Sequence, residues 1–268
     1  MRYKFQIPAM DRFQVEYYFS NKLDTQSARV FPPHLHDKIE LYILLDGDVS
    51  FMVESALYKL SSGDAIVTKP NEMHNCILNS LSVHRHLCFW FDCNDEFLFK
   101  SFLNHDFGKQ NLLCPSAENK ARLLGVYERL QKASEENDTL QRYYLVLEIL
   151  DIFSRCVPNC ESYQTMPSLL CDILTDVDKN LSQIKDLQFF TNKYFISQST
   201  LNRLFKEHLH TTPKLYLDTK RFAFARQLLR KGCNGLQACM QSGFADYSNF
   251  IRLFKKRFGV TPKEYRNS

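Results

Sequence analysis

Hydrophobic and polar positions follow two different rhythms along the chain. In residues 1–110 the apolar residues come in short runs or alternate. Ile39 to Leu45 is an apolar, β-branched run that ends at Asp46-Gly47, a hairpin signal. Val49, Phe51 and Val53 alternate, Ser61-Ser62-Gly63-Asp64 makes a turn before Ala65 to Thr68, and Val83 to Phe91 is a further strand. Short strands broken by closely spaced turns predict a sandwich or small barrel. Residues 111–156 then change to helical spacing. Leu123, Leu124, Tyr127 and Leu130 mark a helix over 117–134, and Tyr143, Leu147, Leu150 and Phe153 mark one over 139–156. Glu135-Glu136-Asn137-Asp138 fits the turn between them. Residues 157–167 (VPNCESYQTMP), with two prolines among polar residues, read as an interdomain linker. The expected fold class is α+β in two domains, an N-terminal β-barrel with a helix pair followed by an all-α domain over 168–268.

The helical part contains a repeat at a spacing of 49 residues. Arg203-Leu204-Phe205-Lys206 recurs as Arg252-Leu253-Phe254-Lys255, Thr212-Pro213-Lys214 as Thr261-Pro262-Lys263, and Tyr216 as Tyr265. Each copy reads as helix, turn, helix, over about 187–208 and 236–257. In the second copy the first helix carries the stripe Leu236, Cys239 and Met240, Gly243 breaks it, and Asp246 or Ser248 caps the next helix. In the first copy the stripe is Leu187, Phe190 and Tyr194, the turn lies near Phe195-Ile196, and Ser197 caps. Lys214 to Arg230, with apolar Leu217, Phe222, Ala225, Leu228 and Leu229, reads as a rigid linker helix over 214–230.

Charge separates the two parts more sharply than composition does. The 268 residues carry a net charge of +4. Residues 1–167 hold 17 Lys+Arg against 22 Asp+Glu, a balance of −5, and residues 168–268 hold 17 against 8, a balance of +9. A basic C-terminal domain points to a polyanionic partner. The second helix of each copy offers the chemistry for one. Gln198, Ser199, Asn202, Arg203 and Lys206 share its outer face in the first copy, and Tyr247, Ser248, Asn249, Arg252, Lys255 and Lys256 in the second. Arg bonds bidentately to guanine and Asn to adenine, while Lys meets phosphate. Double-stranded DNA is therefore the expected partner, with Arg203 and Arg252 facing bases and Lys206, Lys255 and Lys256 facing phosphate.

These residues carry a resemblance. Arg221, Ala225 and Leu229, followed by the segment GFADYSNFIRLFKKRFGVTPKEYR from Gly243 to Arg266, resemble the DNA-binding domain of AraC/XylS-type bacterial transcription regulators over about 168–268. The resemblance implies two helix-turn-helix units, contact with RNA polymerase, and a homodimer formed through the helix pair at 117–156, whose apolar stripes fit packing on the barrel nearly as well. The first copy departs from the family's pattern in Phe190, where a small residue is common, and in His210, where glycine usually ends the helix.

A second constellation lies in the N-terminal part, where His34, His36 and Glu40 precede Gly47, and His74 follows Gly63 by eleven residues. On a strand, positions 34, 36 and 40 share parity and would point to one face. Two histidines and a glutamate with a third histidine nearby are ligand types for a divalent transition metal. They line a polar pocket equally well. Over roughly 15–95 the pattern resembles the cupin barrel that AraC-type regulators carry as an effector-binding domain, with Glu72 standing where glycine is usual. That resemblance favours the pocket over the metal, with no cofactor, and implies a small polar metabolite such as a sugar. His84 and His86 are read as strand decoration.

Several function classes fall away. No Walker-type loop, dinucleotide fingerprint or nucleophile elbow occurs, so no enzyme is expected. No apolar run approaches the roughly 18–20 residues that span a bilayer, and Met1 to Met10 has no signal-peptide core. Nine cysteines without a CxxC pair suit reduced thiols in the cytoplasm. A ligand-responsive regulator explains charge, repeat and barrel together. A metal-dependent cupin enzyme leaves the basic repeat unexplained, and an effector-independent DNA binder leaves the barrel so.

Overall fold

The computed structural model describes residues 2–6, 14–23, 33–80, 82–92, 99, 102–106, 108–156 and 163–267. The chain divides into two compact domains, Met1–Phe31 with His36–Gln164, and Pro32–Leu35 with Thr165–Ser268.

The N-terminal domain holds strands β1 (Arg2–Gln6), β2 (Gln14–Leu23), β3 (Ile39–Asp46), β4 (Val49–Val53), β5 (Ala56–Lys59), β6 (Ala65–Thr68), β7 (His74–Leu78), β8 (Val83–Asp92), β9 (Leu112–Leu113) and β10 (Tyr163–Thr165). A six-stranded sheet runs β1-β2-β8-β3-β6-β9 and a four-stranded sheet β10-β5-β4-β7. The β3–β8 pairing sets Glu40 opposite Trp90 and Tyr42 opposite Cys88, antiparallel, with a bulge between Leu44 and Asp46. Between the sheets lies a core of Tyr42, Leu44, Phe51, Val53, Tyr58, Ile66, Cys76 and Leu78. The opposite face of β3 and β8, with Ile39, Leu41, Ile43, Leu87, Phe89 and Phe91, is buried against two helices, α1 (Ala117–Glu135) and α2 (Thr139–Ser154). Ser116 and Asp138 cap these helices. The buried stripe of α2 is Leu145, Val146, Ile149, Leu150, Ile152 and Phe153. Leu150 and Phe153 of the expected stripe belong to it, whereas Tyr143 and Leu147 are only partly buried. Leu124 of α1 points outward, half exposed.

Two other expectations change. His34 and His36 are not on a strand, because β3 begins at Ile39. Of the expected linker, 157–162 lies outside the described residues, and Tyr163–Thr165 is not coil but the edge strand of the four-stranded sheet.

The C-terminal domain contains α3 (Ser168–Asn180), α4 (Gln188–Tyr194), α5 (Gln198–Leu209), α6 (Pro213–Arg230), α7 (Gly235–Gln241), α8 (Tyr247–Phe258) and α9 (Pro262–Asn267). Ser197 caps α5 by accepting the Thr200 N–H, and Asp246 caps α8 by accepting the Asn249 N–H. Gly259 ends α8 at φ 78° and His210 ends α5 at φ 52°, both left-handed. One face of α8 buries Phe250 and Phe254 against Phe222, Ala225, Leu228 and Leu229 of α6 and Ala238 and Cys239 of α7. The stripe expected on α7 is turned, since Leu236 and Met240 are 50% and 65% exposed and Ala238 carries the contact.

The Phe254 ring lies within 4.6–6.2 Å of those of Phe258, Phe250, Tyr265 and Phe222. Phe254→Ala should therefore cost about 3–5 kcal/mol in urea unfolding. A loss below about 1 kcal/mol would show that α8 is not held by this cluster.

Candidate functional site

Helices α5 and α8 sort their residues by chemistry. Their apolar residues turn inward, Leu201, Phe205 and Leu209 on one and Phe250 and Phe254 on the other. Gln198, Ser199, Asn202, Arg203 and Lys206 of α5 and Tyr247, Ser248, Asn249, Arg252, Lys255 and Lys256 of α8 are all exposed. Short hydrogen bonds prearrange some of them. Arg252 Nη2 donates to Asn249 Oδ1 at 2.8 Å, and Gln198 Nε2 donates to Asn202 Oδ1 at 3.3 Å. Tyr247 is only 38% exposed, and its hydroxyl lies so close to Gly235 that a Cβ there would stand 2.7 Å from it. Some other cations are tied to neighbours within the domain. Lys220 pairs with Asp178 at 3.0 Å, Arg226 Nε donates to the Tyr265 hydroxyl at 2.9 Å, and Arg257 Nη2 donates to Thr219 Oγ1 at 3.1 Å.

In the N-terminal domain the interior face of β3 and β8 is polar. Glu40 is 5% exposed, and its Oε2 accepts from His36 Nε2 at 2.9 Å and Trp90 Nε1 at 2.6 Å, with His74 Nε2 at 3.5 Å. The other nitrogen of His74, Nδ1, donates to the Glu72 carbonyl at 2.8 Å. His36 reaches this cluster from the turn before β3. His34 is exposed and lies in Pro32–Leu35, which groups with the C-terminal domain. Thr68, in register with Glu40, is fully buried beside it, and its hydroxyl has no hydrogen-bond partner.

The donor types suit a divalent metal, and the donor atoms of His36, Glu40 and His74 lie within 4.8 Å of one another. Ligands at about 2.0–2.2 Å from an ion stand roughly 3–3.5 Å apart, which the His–Glu separations match. The same oxygen, however, already accepts from His36 and Trp90 and faces the His74 ring. The hydrogen bonds from His36 and Trp90 thus occupy directions that an ion on Glu40 would need.

A second set adjoins it that the sequence reading set aside. His84 and His86 are each 6% exposed, so they are interior groups and not strand decoration. The Tyr42 hydroxyl and His84 Nε2 share a hydrogen bond at 2.5 Å, the His84 and His86 imidazoles stack at 4.3 Å, and Cys76 Sγ donates to the Tyr42 oxygen at 3.7 Å. Burial, with His84 adding to it, pushes the His86 pKa down to about 3 and keeps the ring neutral. The alternation of β8 was the available signal. Leu87, Phe89 and Phe91 face the helices, which leaves His84, His86, Cys88 and Trp90 for the interior. Glu72, standing where glycine was usual, is a buried tie. Its carboxylate accepts from the Gly108 and Lys69 amides and from Asn111 Nδ2.

Residues 22–146 match the AraC-like ligand binding domain family, and residues 190–268 match a helix-turn-helix domain family. The chain belongs to the AraC family of transcription regulators. This AraC-family protein is 23% identical over 247 residues to the HTH-type transcriptional activator RhaS of Escherichia fergusonii, covering 88% of this chain and 87% of that one. It is 22% identical over 242 residues to the HTH-type transcriptional activator RhaR of Mannheimia succiniciproducens, with the same coverages. Among solved structures, ToxT from Vibrio cholerae O395 aligns over 95% of this chain and 97% of its own at 17% identity and a TM-score of 0.36. The family makes it a DNA-binding transcription regulator with a ligand-binding domain. No helix among the described residues is long and apolar enough to cross a membrane.

The buried ion pair has a pH signature. Burial alone would push the Glu40 carboxyl up, but His74 and His36 outweigh it and hold the group well below the usual carboxylate range. Burial alone would lower the His74 pKa, but Glu40 and the Glu72 carbonyl raise it. The Glu40 contribution to stability is present above about pH 4.3 and is lost as pH falls through its depressed folded value. The His74 contribution is present below about pH 6.5 and is lost as pH rises through its raised folded value. Glu40→Gln should therefore lower the melting temperature more at about pH 5.5 than at about pH 9. Equal losses at both would mean that His74 does not titrate against Glu40.

Proposed function

We propose that this AraC-family protein activates transcription by laying α5 and α8 in two adjacent major grooves on one side of a duplex, about 34 Å apart. In this reading Arg203 and Arg252 read bases, Gln198, Ser199, Asn202, Tyr247, Ser248 and Asn249 add contacts beside them, and Lys206, Lys255 and Lys256 hold phosphate. The observation that carries it is the split of both helices into an apolar face against the core and an exposed face of Arg, Lys, Asn, Gln and Ser. Relatives named as transcriptional activators support the sign of the effect. The protein works in the cytoplasm and contacts RNA polymerase.

The effector is a small polar metabolite, a sugar or a compound of similar polarity, held against His36, Glu40 and His74 inside the two-sheet domain. Support comes from the concentration of polar groups on that inner face, with the Thr68 hydroxyl buried and unpartnered. A homodimer forms through α1 and α2, whose outer surface exposes Leu124, Leu140 and Tyr144. Effector binding favours one arrangement of the dimer over another.

Two measurements test this. Arg252→Ala should weaken binding to the preferred DNA site by about 1–3 kcal/mol and relax the choice of base at one position. An equal loss on preferred and random DNA would show that Arg252 touches only the backbone. In a thermal-shift screen of metabolites, a ligand that raises the melting temperature of the wild type should lose its effect on His36→Ala. An undiminished shift would place the pocket elsewhere, and sedimentation as a monomer with and without DNA would remove the dimer.

A further inference from the structure

Helix α6 alone would make a rod between α5 and α8, but the two copies of the repeat are also joined by a second route. The segment between α3 and α4 carries Leu181, Ser182, Ile184 and Lys185, and the turn between α7 and α8 carries Gly243 and Phe244. Gly243 has φ +83°, and a Cβ there would stand 2.5 Å from the Leu181 carbonyl oxygen and 3.3 Å from Ser182 Cα. The turn that aims α8 therefore rests directly on backbone that leads into the first copy. Glycine is required there twice over, for the left-handed conformation and for the close approach.

Arg221 of α6 fills the corner between them and is 6% exposed. Its Nη2 donates to the carbonyl oxygens of Ile184 and Lys185, its Nη1 lies 3.8 Å from Asp218 Oδ1, and its guanidinium stands over the Phe244 ring at 5.7 Å. Phe244 in turn packs on Phe222 at 4.7 Å and on Phe250 of α8 at 5.0 Å. One planar group thus connects the entry to the first copy, the linker helix and the turn of the second. The first copy shows that a helix-turn-helix does not itself need this. At the corresponding positions, 49 residues earlier, the Tyr194 hydroxyl donates to Asp176 and Phe195 is 94% exposed.

We infer that Arg221, seated against Gly243, is a positioning residue that fixes the angle and separation of α5 and α8, and with them the base-pair spacing the protein accepts. The inference rests on the two-groove reading above. Each base pair added between two contacted sites moves the second by 3.4 Å and rotates it by about a tenth of a turn. A rigid pair of helices rejects that change and a loosened pair tolerates it. Lysine cannot replace the group, since an ammonium has no planar fork to serve two carbonyls while stacking on a ring.

The test uses the full chain, with Arg221→Gln, Arg221→Lys and Phe244→Leu variants checked for folding by circular dichroism. Each protein selects from a library of random-sequence duplexes, and the retained DNA is sequenced. The wild type should retain two short motifs at one separation, and bind that duplex roughly tenfold or more tightly than one lengthened by a base pair. Arg221→Gln should retain both motifs while the preference against the longer duplex falls to about threefold or less, with Arg221→Lys between the two. If Arg221→Gln weakens every duplex by the same factor and keeps its spacing preference, Arg221 serves only stability and the inference is overturned. Should Arg221→Gln fail to fold, Phe244→Leu removes the ring beneath the guanidinium and carries the same expectation and the same overturning result. A wild type that retains one motif or none overturns instead the two-groove reading itself.

Discussion

Strands β3 and β8 are covered on both faces, and much of the N-terminal domain follows from that constraint. One face packs on α1 and α2 and the other looks across at the four-stranded sheet. Polar side chains on the inner face have no water to turn to, and a buried polar group without a partner costs about 1–3 kcal/mol. Most of them therefore answer one another, the Thr68 hydroxyl excepted. Glu40 takes His36, Trp90 and His74, and Tyr42 takes His84 and Cys76. A wholly apolar inner face would be simpler to fold. The polar one makes a site where an incoming polar molecule can exchange hydrogen bonds with groups already oriented to make them.

The same accounting applies to charge in the C-terminal domain. Its balance of +9 is not all available to DNA. Lys220 and Arg221 are buried, and they, Arg226 and Arg257 are tied to carbonyls, hydroxyls, a carboxylate or aromatic rings of the domain itself. What remains on α5 and α8, apart from the exposed but hydrogen-bonded Arg257, is Arg203, Lys206, Arg252, Lys255 and Lys256. The tied cations give the domain its internal geometry, and the remaining ones give it a partner.

The C-terminal domain was largely legible in the sequence because its signals are local. Caps, a left-handed glycine and a 3.6-residue stripe each declare themselves within a few positions, so Ser197, Asp246 and Gly243 stand where expected. Short helices were read less well. In the seven residues of α7 only Cys239 of the expected stripe is buried, and Ala238 joins it in place of Leu236 and Met240, because packing against α6 decides which face is inward. In the N-terminal domain the strands were visible, yet the inner face was only half read. Glu40, His36 and His74 came from a motif, whereas His84 and His86 needed the β3–β8 register, a long-range pairing that one strand does not reveal. The contact of Gly243 with Leu181 is of the same kind.

The edge strand Tyr163–Thr165 shapes how the protein can be divided. It closes one side of the four-stranded sheet as the chain leaves the N-terminal domain. A fragment ended at 156, where the composition turns linker-like, would lack it and leave the ladder groups of β5 open on that side. Bare edges recruit strands from other molecules. The solubility of an excised N-terminal domain thus depends on three residues that composition alone would discard.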